Sequence, residues 1–126
     1  MPAMATLTLN NKAASPVNYQ VLGIKEGVAR WADVSQGTVG GYRTISAEIR
    51  TPADPSKQVT RQVFTIARPV VNGTTGAVDY VQRTKTEVIQ PPGCTLAERQ
   101  EMWAAQKNLM AHTFIQTAME TQESMY

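Results

Sequence analysis

The chain has 126 residues and a mass of 13.8 kDa, long enough for one domain with its own core and too short for two. Its 42% apolar and 17% charged content are those of an ordinary globular protein, and no stretch approaches the ~20 consecutive apolar residues that span a bilayer. A formal charge of +2 is too small to argue for nucleic acid by itself, and one cysteine and one histidine exclude an intrachain disulfide and leave a zinc site short of ligands.

In chain order, the N-terminal MPAMATLTLNN lacks a charged segment followed by an apolar one, so no signal peptide is expected and cytosolic folding is the default. ATLTL (5–9) alternates with period two. VNYQVLGI (17–24) and VARWADV (28–34) are short and rich in β-branched or aromatic residues, and the KEG between them predicts a hairpin turn. After the Gly-rich QGTVGG (36–41), YRTISAEIR (42–50) turns Ile45, Ala47 and Ile49 one way and Thr44, Ser46, Glu48 and Arg50 the other. The two prolines of TPADPS (51–56) predict an exposed turn. QVTRQVFTIARPVV (58–71) is a long strand in which Pro69 marks an edge or an irregular end. NGTTG (72–76) is a turn, and AVDYVQRTKTEVI (77–89) is the last strand. Six or seven consecutive strands with short connections predict an antiparallel meander.

Pro91, Pro92 and Gly93 end this pattern. Thr95 and Glu98 have the spacing of a capping box, and thirty residues without Gly or Pro follow, as one helix or as two with a bend around Ala111–Thr113. The chain therefore reads as a single α+β domain, a sheet part over 1–90 and a helical arm over 95–126. The arm carries an apolar stripe that includes Met102, Trp103, Met110, Phe114 and Met119. One such arm cannot cover a whole sheet face, so two readings stand: the stripe packs on its own sheet, or on that of another subunit.

Enzymatic motifs are missing: there is no Gly-x-Gly-x-x-Gly, no P-loop and no His-Glu-x-x-His. His112 reads as a mid-helix residue of a surface or interface. Cys94 precedes a helix start, where a thiolate is stabilised, but a small half-buried residue closing the turn is the simpler reading. Glu48 and Glu87 have the basic neighbours Arg50 and Lys85, which suggests charge pairing rather than acid–base chemistry. No enzyme, cofactor, metal or small-molecule substrate is expected.

The charge is unevenly spread. Residues 1–94 hold ten Lys/Arg and six Asp/Glu, whereas residues 95–126 hold two and four. If the long strands are antiparallel neighbours, Ser46, Glu48 and Arg50 share a face with Arg61 and Thr65 and with Arg83, Lys85 and Glu87. That face offers hydroxyls and four cations to phosphates, or it is the solvated outer face that antiparallel sheets commonly have.

The order of these segments resembles the coat proteins of small single-stranded RNA bacteriophages, the leviviruses. The resemblance rests on NNK and the short hairpin, GVARW at 27–31, YRTISAEIR, the long strand ending ARP, the cysteine ahead of the C-terminal helices and the terminal Tyr126, and it covers essentially the whole chain. It implies a homodimer whose sheets join edge to edge and whose two C-terminal helices cross onto the partner, which places Met102, Trp103, Met110, Phe114 and Met119 at the dimer interface. It further implies an icosahedral virion capsid, assembled in the bacterial cytoplasm, with the sheet facing a packaged single-stranded viral RNA and no contact with membrane. In the best-known members the inner face also binds an RNA hairpin and represses translation.

Carried over by position, the RNA-facing residues are Val28; Ser46, Glu48 and Arg50; Arg61, Val63 and Thr65; and Arg83, Lys85 and Glu87. Here Glu48 stands where a small hydroxyl residue is expected, and Arg83 where an aromatic one would stack on a base. The loop at Asn72, Gly73, Thr74, Thr75 and Gly76 corresponds to the one that meets its copies around the shell's symmetry axes. The alternative is a small dimeric RNA-binding module or translational regulator that forms no shell.

Overall fold

The computed structural model describes residues 3–35, 37, 39–54 and 56–123; Pro55 of the predicted turn and the terminal Tyr126 lie outside the described residues. Six strands form one sheet in chain order: β1 (Leu7–Asn10), β2 (Pro16–Lys25), β3 (Val28–Asp33), β4 (Arg43–Arg50), β5 (Thr60–Val71) and β6 (Val78–Gln90). Every neighbouring pair is antiparallel, which is the predicted meander.

Turn chemistry fixes the registers. Glu26 and Gly27 both have positive φ, 55° and 78°, between the paired Lys25 and Val28. Two such residues match the right-handed twist of the flanking strands, as tight two-residue hairpins require. Between β5 and β6 the Asn72 side chain accepts hydrogen bonds from the backbone N–H of Thr74 (2.8 Å) and Thr75 (3.1 Å), and Gly76 takes φ 74°. An Asn side chain thus stands in for backbone and closes the loop tightly.

β2 bends where a bulge between Val21 and Gly23 shifts its register against β3, and Gly23 adopts φ 116° there. Pro69 does not end β5, which runs on to Val71. It lies beyond the last β4–β5 pair, Thr44 with Ala67, where β6 is the only strand paired with β5. A residue without an N–H is tolerated at such an edge.

The predicted capping box opens α1 (Leu96–Met110): Thr95 Oγ1 accepts from the Glu98 N–H at 3.2 Å, and Glu98 Oε2 from the Thr95 N–H at 2.9 Å. α2 (Thr113–Thr121) follows after a break at Ala111–His112. His112 is therefore not a mid-helix residue. It is extended, and its Nδ1 accepts from the Phe114 N–H at 3.2 Å, which caps α2. An imidazole nitrogen supplies here the acceptor that Ser or Asp usually supplies at a helix start.

The chain buries little of itself. Ala32 is the one fully buried apolar residue described, and the accessible surface is 9826 Å², against about 6,600 Å² for a compact monomer of this mass. Exposed apolar side chains include Ile49, Phe64 and Ile66 on one sheet face and Trp103 and Phe114 on the arm. No residue of α1 or α2 is buried; Trp103 and Phe114 are each 67% exposed. Of the two readings of the arm, close packing on its own sheet is thus not what the fold shows. α1 stands off β5 and β6 across an open cleft of about 550 Å³, with Phe64 and Val88 on one wall and Met102 and Trp103 on the other. No described helix is long and apolar enough to cross a membrane.

Candidate nucleic-acid interface

Directly paired residues of an antiparallel sheet project to the same side, so the registers order the second sheet face into rows that cross the strands. One row runs Gly23, Arg30, Ser46, Thr65, Lys85 from β2 to β6. A neighbouring row runs Lys25, Val28, Glu48, Val63, Glu87. Arg50, Arg61 and Ile89 form the row beyond it. On the other side Thr44 and Ala67 lead to Arg83.

All ten positions singled out in the sequence therefore share one face. Eight of them, all but Val28 and Ser46, line a single open concavity of about 510 Å³. Its walls are hydroxyl, carboxylate and cationic groups of the sheet, with the apolar Val63 among them. Such a surface can hold an extended polyanion by charge and by hydroxyl hydrogen bonds. It offers no enclosed pocket for a small substrate, and among the described residues no group of three His, Cys, Asp or Glu is placed to hold a metal ion.

The electrostatics of the face are divided. Glu48 Oε1 lies 2.7 Å from Arg50 Nε on the same strand. Through that hydrogen bond and its charge, Glu48 holds the Arg50 guanidinium above its ordinary pKa. Glu87 Oε1 lies 3.3 Å from Arg61 Nη1. The sequence suggested Lys85 as the partner of Glu87. The register instead sets Glu87 opposite Val63 and diagonal to Arg61, while Lys85 faces Thr65. Among the described residues, Lys25, Arg30, Arg83 and Lys85 make no ion pair.

Lys25 and Arg30 were not among the predicted site residues. The signal for Arg30 was present, because alternation in VARWADV places it on the same face as Val28. The predicted interface residues of the arm, Met102, Trp103, Met110, Phe114 and Met119, are all at least half exposed. Asn72–Gly76 forms the tip of the β5–β6 hairpin, away from the concavity.

Solved structures share this architecture across the whole chain. A virus-like particle of Beihai levi-like virus 21 aligns with a TM-score of 0.88 at 20% identity, covering 99% of each chain. A virus-like particle of bacteriophage NT-214 aligns at 0.86 and 20% identity, over 99% of this chain and 100% of the other. The bacteriophage GA capsid protein aligns at 0.75 and 14% identity, over 96% of each. At these identities the likeness shows the fold. No curated protein sequence matches the chain. The levivirus coat protein family matches residues 2–126, essentially its full length. The chain belongs to the levivirus coat protein family, and its role is structural, as a component of a viral capsid.

Proposed function

We propose that the protein dimerises, assembles into an icosahedral shell and packages single-stranded RNA against the sheet face described above. The carrying observation is the coincidence on one sheet face of Arg30, Arg83 and Lys85, which make no ion pair among the described residues, with the hydroxyls of Ser46 and Thr65. Phosphates contacted weakly by each subunit are retained strongly when many subunits repeat the contact.

Dimerisation is supported by the unburied apolar arm and the open cleft beside it. A second copy laying its arm over the exposed Phe64 and Ile66 face would cover both apolar surfaces at once. The long β6 is an edge strand with a free side, suited to joining the sheets of two copies. With the arms on the opposite side of the sheet, the polar face is left to line the interior. The Asn72–Gly76 tip is free to meet its copies in the shell. Hairpin-specific repression is a finer property of the same face. With Glu48 and Arg83 in the concavity, we favour sequence-tolerant packaging over it.

The test is to express the chain alone and examine it by size exclusion and electron microscopy. Regular particles with an absorbance ratio typical of nucleic acid are expected. A clean dimer peak with no particles would instead favour a binding module that forms no shell.

A further inference from the structure

Not all cations of this sheet face are equally available to a phosphate. Arg50 and Arg61 are each engaged by a carboxylate, at 2.7 and 3.3 Å. Any phosphate reaching them must compete with a group already in place and stand near its negative charge. Arg30 and Lys85 differ. Both are exposed and unpaired among the described residues, and they stand in one row with Ser46 and Thr65 between them. Three interstrand spacings separate them, about 14 Å. On its other side Arg30 is paired with Gly23, which has no side chain to crowd the guanidinium.

We propose that Arg30 is a phosphate-contacting residue, which with Lys85 bounds a cation–hydroxyl–hydroxyl–cation row that carries one RNA backbone across the strands, while Arg50 and Arg61 remain held by Glu48 and Glu87. This rests on the reading of the face as an RNA surface. Arg30 supplies the fork geometry that suits a phosphate, Ser46 and Thr65 supply sequence-independent hydrogen bonds, and Lys85 supplies a mobile point charge at the far end. Backbone contacts of this kind carry no base specificity, in keeping with packaging.

The experiment measures the salt dependence of binding of a short oligouridine to the full-length protein, by fluorescence anisotropy. Loss of one phosphate contact lowers the slope of log affinity against log salt by about 0.7 for a single strand. Arg30→Gln and Lys85→Gln are each expected to lower it by about that amount, and Arg30→Lys to restore most of it. The charge-neutral double variant Glu48→Gln with Arg50→Gln is expected to lower it by much less than Arg30→Gln does, and Lys107→Gln, exposed on α1 and outside this face, to leave it unchanged. Circular dichroism confirms that each variant is folded. A normal slope for Arg30→Gln beside a reduced one for Lys85→Gln overturns the role of Arg30 and leaves the RNA face standing. A fall in the double variant equal to that of Arg30→Gln overturns the division between held and available cations. If no variant changes the slope, the RNA reading itself fails.

Discussion

Arg50 and Arg61 stand directly opposite each other on β4 and β5, and each is held by a carboxylate, Glu48 at 2.7 Å and Glu87 at 3.3 Å. Like charges in that position destabilise a sheet, and the two carboxylates offset the repulsion. They also make this end of the concavity close to neutral, so the cationic character of the face is concentrated in Lys25, Arg30, Arg83 and Lys85.

Removing one carboxylate should release a cation to RNA. Glu48→Gln is expected to tighten oligouridine binding and to steepen its salt dependence by about 0.7 in slope. The stability cost should be small, because Arg50 is largely exposed and such pairs contribute little. Anisotropy titrations at several salt concentrations, with thermal melts, check both parts. Unchanged binding would show that Glu48 does not mask Arg50.

The arm gives a contrast between two contexts. In a single chain Trp103 is 67% exposed, and an exposed substitution costs within about 0.5 kcal/mol. If Trp103 is buried against a second copy, Trp103→Ala should cost about 3–5 kcal/mol. The loss should appear as an unfolding midpoint that falls and depends on protein concentration. A melt indistinguishable from the parent would place the arm in solvent.

Thr95→Ala removes the hydroxyl that caps α1 while leaving its backbone intact. The expected loss is about 1 kcal/mol, seen in denaturant unfolding as a lower midpoint with an unchanged slope. Thr95→Ser should retain most of the stability. Equal loss in both variants would argue that the methyl, not the capping bond, carries the effect.

Strands and face membership were legible in the sequence because the side-chain period of a strand is two. Alternation groups Arg61 with Thr65 on β5 and Arg83 with Lys85 on β6, and the apolar Phe64 and Ile66 on the other side of β5 assign Arg61 and Thr65 to the face of Ser46, Glu48 and Arg50. Ion pairing was less legible. The partner of Glu87 depends on the β5–β6 register, which places Arg61 on its diagonal, whereas proximity in sequence pointed to Lys85. The bend around Ala111–Thr113 was legible in its weak helix formers, whereas His112 was misread as mid-helix because its sequence does not show that its side chain turns back to accept from the Phe114 N–H. The course of the arm was open for a different reason. An amphipathic helix states that it will be covered and does not state by what.

Whether the polar sheet face holds the genome is decided by the RNA content of particles formed by Arg83→Ala with Lys85→Ala. Both side chains are exposed, so assembly should persist. The measurement is nuclease-protected RNA per unit of assembled protein, beside the parent shell. Particles of normal form carrying much less RNA are predicted. Unchanged RNA content at equal assembly would contradict the claim.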